Sequence, residues 1–418
     1  MKREGRHFGK IHYLLIIGLI LFGANFSNAQ VPDVWGNLKP GEYGVGFKSV
    51  ELYDYSRVFQ AKNDYFGNLL EGERARQMQI LIWYPAEKND NDLPMVYAEY
   101  SLVYPQNIDF IDLLTAIHNR QMGMLFGMVG NNRIFINGFI DFPFAGVRDA
   151  TPISTSFPFL IYIPSLQGGT IENLVLCEYL ASHGFIVATT HPVGLKQLNP
   201  AVNSVDFETL VRDAEFVFGY MNNFPNANMD KVGAFGFASG GSAALLFQIR
   251  NSDIDAVAGL ASSFSSPAMI ELIKGNSFYN PALAQKPLMN FYFEDMEQAD
   301  MSLIDSLFYS TRYLYHYANT DPTNYSLFEI LRKISGENPT GTDILPYEVV
   351  SDYVLNFYRA ILNKDESSLS FIKKSADQNG YTTLPITMTV KEAMEIPPTN
   401  EQFLAIIQQQ GVPEGIAL

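Results

Sequence analysis

Five short apolar runs in the middle of the chain set the tightest limit on its fold. They are Phe159-Leu160-Ile161-Tyr162-Ile163, Phe185-Ile186-Val187-Ala188, Val232-Gly233-Ala234-Phe235, Ala256-Val257-Ala258-Gly259-Leu260 and Leu288-Met289-Asn290-Phe291-Tyr292-Phe293. Runs of this kind, with no polar alternation, are strands buried on both faces, as in a parallel sheet covered by helices. Helical patterning lies between them. Phe207, Leu210, Val211, Ala214, Phe218 and Met221 fall on one apolar stripe. Alternating strand and helix predicts an α/β class with a mostly parallel central sheet and right-handed crossovers.

The flanks add detail. Gly41 to Arg57 and Gln77 to Tyr84 alternate polar and apolar residues, which predicts an N-terminal antiparallel hairpin. Between about 95 and 150 lies an insertion. Within it, Ile111, Leu114, Ile117, Met124, Leu125 and Met128 recur near helical spacing. This Met- and Phe-rich segment, 108–128, reads either as a lid over a cleft or as an ordinary packed helix. Beyond residue 320 the chain turns helical, most clearly from Tyr347 to Leu362, with a last helix expected from Glu401. The expected organisation is one large α/β domain over 30–335 and a helical C-terminal extension over 336–418, packed on that domain.

Residues 1–29 are expected to be a signal peptide. Lys2, Arg3, Arg6 and Lys10 precede an apolar run from Tyr13 to Ala24. Ser27-Asn28-Ala29 then offers small residues at a cleavage site before Gln30. A membrane span needs about 20 apolar residues, more than this run supplies. An uncleaved anchor is the other reading of the segment. The expectation is therefore export, to the periplasm or the outside, with no stable membrane insertion after cleavage. Cys177 is the single cysteine, so no internal disulfide forms. The formal charge is −16, and the chain beyond residue 29 is more acidic still. That charge excludes nucleic acid and anionic membrane surfaces as natural partners.

The chemistry centres on Gly236-Phe237-Ala238-Ser239-Gly240-Gly241, which follows the Val232 strand and opens a helical stretch. A strand, a tight glycine-rich turn and a helix make a nucleophile elbow, G-x-S-x-G, where the strained turn lifts a serine above the sheet. Here the glycines stand at the required spacing, but the central residue is Ala238, and Ser239 follows it.

With this elbow, the Gly-Phe-Lys of the first strand, Ile82-Trp83-Tyr84-Pro85-Ala86 and Leu180-Ala181-Ser182-His183-Gly184, the chain resembles the plasma-type platelet-activating factor acetylhydrolases and the dienelactone-hydrolase-like esterases. The resemblance runs from about Gly41 to Phe328. It implies an α/β-hydrolase fold and a Ser–Asp–His triad. Carried over onto this sequence, the nucleophile falls on Ala238, the acid on Ala261 and the base on Pro322. The oxyanion-hole backbone falls on Leu166 and Ser239.

Two readings follow. In one, the chain is a catalytically inactive esterase homologue that keeps a ligand- or partner-binding role, its ligand a small apolar acyl or ester-like molecule. In the other, it is an active carboxylic-ester hydrolase with Ser239 as a displaced nucleophile, Asp295 as acid and His316 as base. His316 sits in an alternating stretch that itself reads as a strand. No H-E-x-x-H, Cys/His cluster or phosphate-binding glycine loop is present, so neither a metal nor a cofactor is expected.

Overall fold

In a computed structural model, residues 32–70, 72, 74–130, 132–293, 299–335, 346–381 and 385–396 are described. The expected signal peptide, Asp295 and the helix expected from Glu401 lie outside them. Ten strands form one sheet: β1 Gly44–Phe59, β2 Arg74–Ala86, β3 Gly146–Arg148, β4 Phe157–Ile163, β5 Ile186–Thr190, β6 Ala227–Phe237, β7 Ala256–Leu260, β8 Leu288–Tyr292, β9 Arg312–Tyr317 and β10 Ile386–Lys391. The helices are α1 Tyr97–Ser101, α2 Ile111–Met128, α3 Arg133–Ile140, α4 Leu174–Ser182, α5 Ser204–Met221, α6 Ser239–Arg250, α7 Pro267–Lys274, α8 Ser302–Asp305, α9 Leu327–Ile334, α10 Pro346–Leu362 and α11 Glu366–Ile372.

The sheet order is β10-β9-β8-β7-β6-β4-β5-β2-β1-β3. β4 to β9 pair in parallel, as the apolar runs predict. β1 and β2 form the expected antiparallel hairpin, in register from Gly44↔Ala86, with a bulge between Asp54 and Val58. The C-terminal extension supplies α10 and α11 and, beyond the helical expectation, an edge strand. β10 pairs antiparallel with β9, setting Thr387 opposite His316.

Successive side chains of a strand point to opposite faces, and the two faces carry separate cores. Along β4, Phe159 and Ile161 enter one core with α5, α6 and α7, while Leu160 and Tyr162 enter the other with α4 and α10. The outcome is a sheet with helices on both sides, which is why its central strands are apolar throughout. α2 packs as a helix: Leu113, Leu114 and Ile117 join Phe110, Phe59 and Val193 in a small third core, and Leu125 enters the α4/α10 core. No helix among the described residues is long and apolar enough to cross a membrane.

Buried carboxylates tie the outer pieces to this frame. Glu178 on α4 accepts hydrogen bonds from Trp35 Nε1 (3.1 Å), Tyr100 Oη (2.7 Å) and the backbone N–H of Gly146 (2.7 Å). Asp213 on α5 clasps the guanidinium of Arg76 on β2, from Nε at 2.8 Å and Nη2 at 2.5 Å.

Candidate functional site

The topology places the site before any side chain is considered. From β4 the chain passes to β5 on one side; from β6 it passes to β7 on the other. Connections that leave neighbouring strands in opposite directions open a crevice at the strands' carboxyl ends, where ligands bind in open α/β sheets. The crevice therefore lies between the loop after β4, Pro164 to Gly169, and the turn after β6 at Ala238.

That turn has the geometry of an elbow. Ala238 sits at φ 48° and ψ −119°, immediately after β6 and before α6. A non-glycine residue there carries strain on the order of 1–3 kcal/mol. The flanking glycines are steric necessities. A Cβ on Gly236 would come within 2.2 Å of the Gly240 carbonyl carbon, and one on Gly240 within 2.1 Å of the Ile163 carbonyl oxygen. Ala261, at the end of β7, also has a positive φ, 45°. The two turns are joined: the Ala238 N–H donates to the Leu260 carbonyl at 3.0 Å, and the Ser263 N–H to the Ala238 carbonyl at 3.4 Å. Ala238 stays only partly buried, whereas Ala261 is 2% exposed.

Across the crevice, the loop after β4 wraps around Glu172. The Glu172 carboxylate accepts from the Ser165 N–H at 3.1 Å and the Ser165 hydroxyl at 2.7 Å. It lies so close that a Cβ on Gly168 would meet its Oε1 at 1.6 Å. Burial pushes this carboxyl up to about 7, against the Ser165 donors and the positive charge of Arg120. The loop so held aims the Leu166 N–H across the crevice, where it donates to the Ser239 hydroxyl at 2.9 Å.

That bond fixes the part Ser239 plays in the structure. Its hydroxyl is buried, and it takes the Leu166 N–H, one of the two oxyanion-hole donors expected from the sequence. His316 does not meet it. His316 lies within β9, paired with Tyr292, and β8 and β7 separate β9 from β6. At about 4.8 Å per strand, that is roughly 14 Å of sheet. No hydrogen bond joins His316 to Ser239 among the described residues. Pro322 opens the turn after β9, Pro322–Tyr325, and is exposed, its place set by the Asp321 side chain, which accepts from the Thr323 N–H. Ser239→Ala is expected to cost about 1–3 kcal/mol, because the buried Leu166 N–H is left without an acceptor. Urea unfolding of the two proteins reads the difference; an unchanged midpoint would refute the hydrogen bond's structural role.

Further residues complete the crevice. Arg120 and Gln121 reach it from α2. His191, just past β5, is buried between the Thr170 hydroxyl (3.4 Å) and Gln79 Oε1 (3.1 Å). Burial, aided by the Arg120 charge, lowers it to about 3, so the ring is neutral. The contacts fit one tautomer, with Nε2–H donating to Gln79 and Nδ1 accepting from Thr170. No pattern marks Arg120 or Glu172 in the sequence, because tertiary packing alone buries them. A groove of about 500 Å³ opens elsewhere, lined by Ser56, Gln60, Leu195, Ser204 and Arg212 among others, and shares no residue with the crevice. The strand crossover and the two strained turns mark the crevice, not that groove, as the site. Among the described residues no group of three or more His, Cys, Asp or Glu is placed to hold a metal ion.

No family model matches the chain, and no curated protein sequence does. Among solved structures, a ferulic acid esterase from Streptomyces cinnamoneus is similar, with a TM-score of 0.59 and 15% identity over 84% of this chain and 98% of that one. At such low identity the likeness speaks for the fold. Sheet order, crevice and elbow agree with it: the chain has an α/β-hydrolase fold.

Proposed function

We propose that this protein is an exported, catalytically inactive member of the α/β-hydrolase fold that binds a small apolar acyl or ester-like molecule without turning it over. The observation that carries the reading is the elbow itself. The strained turn is kept, yet the residue it lifts into the crevice is Ala238, whose methyl group neither attacks a carbonyl nor exchanges a proton. The next hydroxyl along, Ser239, is already hydrogen-bonded to the Leu166 N–H and makes no hydrogen bond to an imidazole among the described residues. A serine hydroxyl without a base is a poor nucleophile.

Binding is supported by what remains. Ala238 and Ala261 leave the crevice free of the charge a triad acid would bring, and Ala238 keeps access to solvent. Backbone N–H groups at strand and helix ends suit a ligand carbonyl without any triad side chain. The ligand would displace the Ser239 hydroxyl from the Leu166 N–H to use it.

The test is hydrolysis. Residues 30–418 are assayed on p-nitrophenyl butyrate and methyl ferulate, beside the Ser239→Ala variant. The two are expected to give the same background rate. A rate for the unsubstituted chain more than tenfold above the variant would establish Ser239 as a nucleophile and end the inactive reading. For export, N-terminal sequencing from the native host is expected to begin at Gln30; full-length chain in the membrane fraction would favour an anchor.

A further inference from the structure

Arg120 stands out among the cations beside the crevice. Its Nη1 donates to the carbonyls of Pro192 (2.9 Å) and Leu198 (3.3 Å), which pins α2 over the segment that follows β5. Nε and Nη2, which share one edge of the planar guanidinium, are buried and have no hydrogen-bond partner among the described residues. Beside Arg120, Gln121 is wholly buried with both amide atoms unpartnered, and Gln79 Nε2 is in the same condition. These groups belong to one place. Gln121 Nε2 rests against Gly169, Thr170 follows it and touches His191, and His191 touches Gln79.

Leaving such buried atoms without partners is destabilising, most of all for a charged group. The same chain shows how a guanidinium edge of this kind is satisfied. Arg76 presents its Nε and Nη2 to the two oxygens of Asp213, a side-on bidentate pair. Arg120 makes no such pair. Glu172 lies close enough to act on its charge but forms no ion pair with it, and burial holds the guanidinium down to about 10.

We propose that the Nε/Nη2 edge of Arg120 receives the carboxylate of a small organic acid, seated under α2 at the carboxyl ends of β4 and β5, with the amides of Gln121 and Gln79 as further partners. The planar fork matches a carboxylate's two oxygens in distance and direction, which a single ammonium does not. The surroundings permit an anion. His191 is neutral, Glu172 is held near 7, and Arg120 carries the charge of the pocket. Arg120 as a whole is only partly buried, while its Nε and Nη2 are closed to solvent.

The inference rests on the crevice being a binding site, and it adds a ligand class to that reading. Calorimetric titration of residues 30–418 with octanoate, methyl octanoate and inorganic phosphate tests it, beside Arg120→Gln and Arg120→Lys, each first shown to be folded by circular dichroism. Octanoate is expected to bind at least tenfold more tightly than its methyl ester and than phosphate. That binding is expected to weaken at least tenfold in Arg120→Gln and to an intermediate degree in Arg120→Lys, which keeps the charge but loses the fork. Equal binding of octanoate and its ester, equal binding by Arg120→Gln, preference for phosphate, or no binding of any probe each overturns the proposal. Ester turnover that depends on Ser239 would defeat the inactive reading yet leave the Arg120 comparison readable, so the two failures are distinct.

Discussion

Replacing Asp213 with Ala is expected to cost about 3–5 kcal/mol of folding stability, the range for removing one partner of a buried ion pair. Asp213 and Arg76 are each about 1% exposed. Arg76 donates to Asp213 through two nitrogens, and Arg57 Nη2 approaches the same carboxylate at 2.9 Å. Without Asp213, two guanidinium groups share one buried space, and β2, α5 and the segment after β5 lose their common anchor. Arg76 Nη2 keeps only the Val193 carbonyl, at 2.6 Å. Replacing both partners, as in Asp213→Leu with Arg76→Met, is expected to cost less than Asp213→Ala alone, since no buried charge of that pair is left unmatched. Urea unfolding at pH 7 checks both; a single-variant loss under 1 kcal/mol would refute the anchoring role.

The second large effect depends on pH. Glu172 titrates near 7 in the folded protein, raised by burial from its ordinary 4.5. A raised folded value means that the folded state holds the proton more tightly than the unfolded chain. The stabilisation is complete below 4.5 and is lost as pH rises through 7. A shift of this size corresponds to something on the order of 3 kcal/mol. Glutamine is neutral throughout and still offers an acceptor to Ser165. The stability of Glu172→Gln relative to the unsubstituted protein is therefore expected to rise by on the order of 3 kcal/mol between pH 4.5 and pH 8. Glu329, raised to about 8 by burial, adds the same sign of slope to both proteins and cancels in the difference. His183 and His191, lowered to about 4 and about 3, act the other way. Their contribution is present above 6.5 and lost as pH falls, and it too cancels. A difference that stays constant from pH 4.5 to 8 would show that Glu172 is ionised throughout.

How much of this was legible in the sequence depends on what held each element in place. The central strands announced themselves because burial on both faces leaves no polar alternation; Ala256–Leu260 has the same bounds in sequence and structure. The elbow was legible because its glycines answer to backbone atoms 2.1–2.2 Å from any added Cβ, and such contacts leave few other residues possible. β10 escaped the reading although Ile386, Met388 and Val390 alternate, since its strand identity comes from pairing with β9 after a helical stretch. β3 is three residues long and is defined by β1 alone. The site was only half legible. Ala238 and Ala261 could be located by motif, and both prove to occupy strained turns. Ser239 reads as a candidate nucleophile by its place in the motif, but the Leu166 N–H that occupies it lies 73 residues away in sequence. Glu172, Arg120 and Gln121 look like ordinary polar residues in sequence. Only the docking of α2 and the folding of the loop after β4 bring them into the crevice.

One measurement tests the central claim most directly. The purified protein, residues 30–418, is incubated with an alkyl fluorophosphonate, which phosphonylates activated serines, and its intact mass is followed over time. With Ala238 at the elbow and the Ser239 hydroxyl held by the Leu166 N–H, the mass is expected to stay unchanged. A stoichiometric adduct that peptide mapping places on Ser239 would contradict the account.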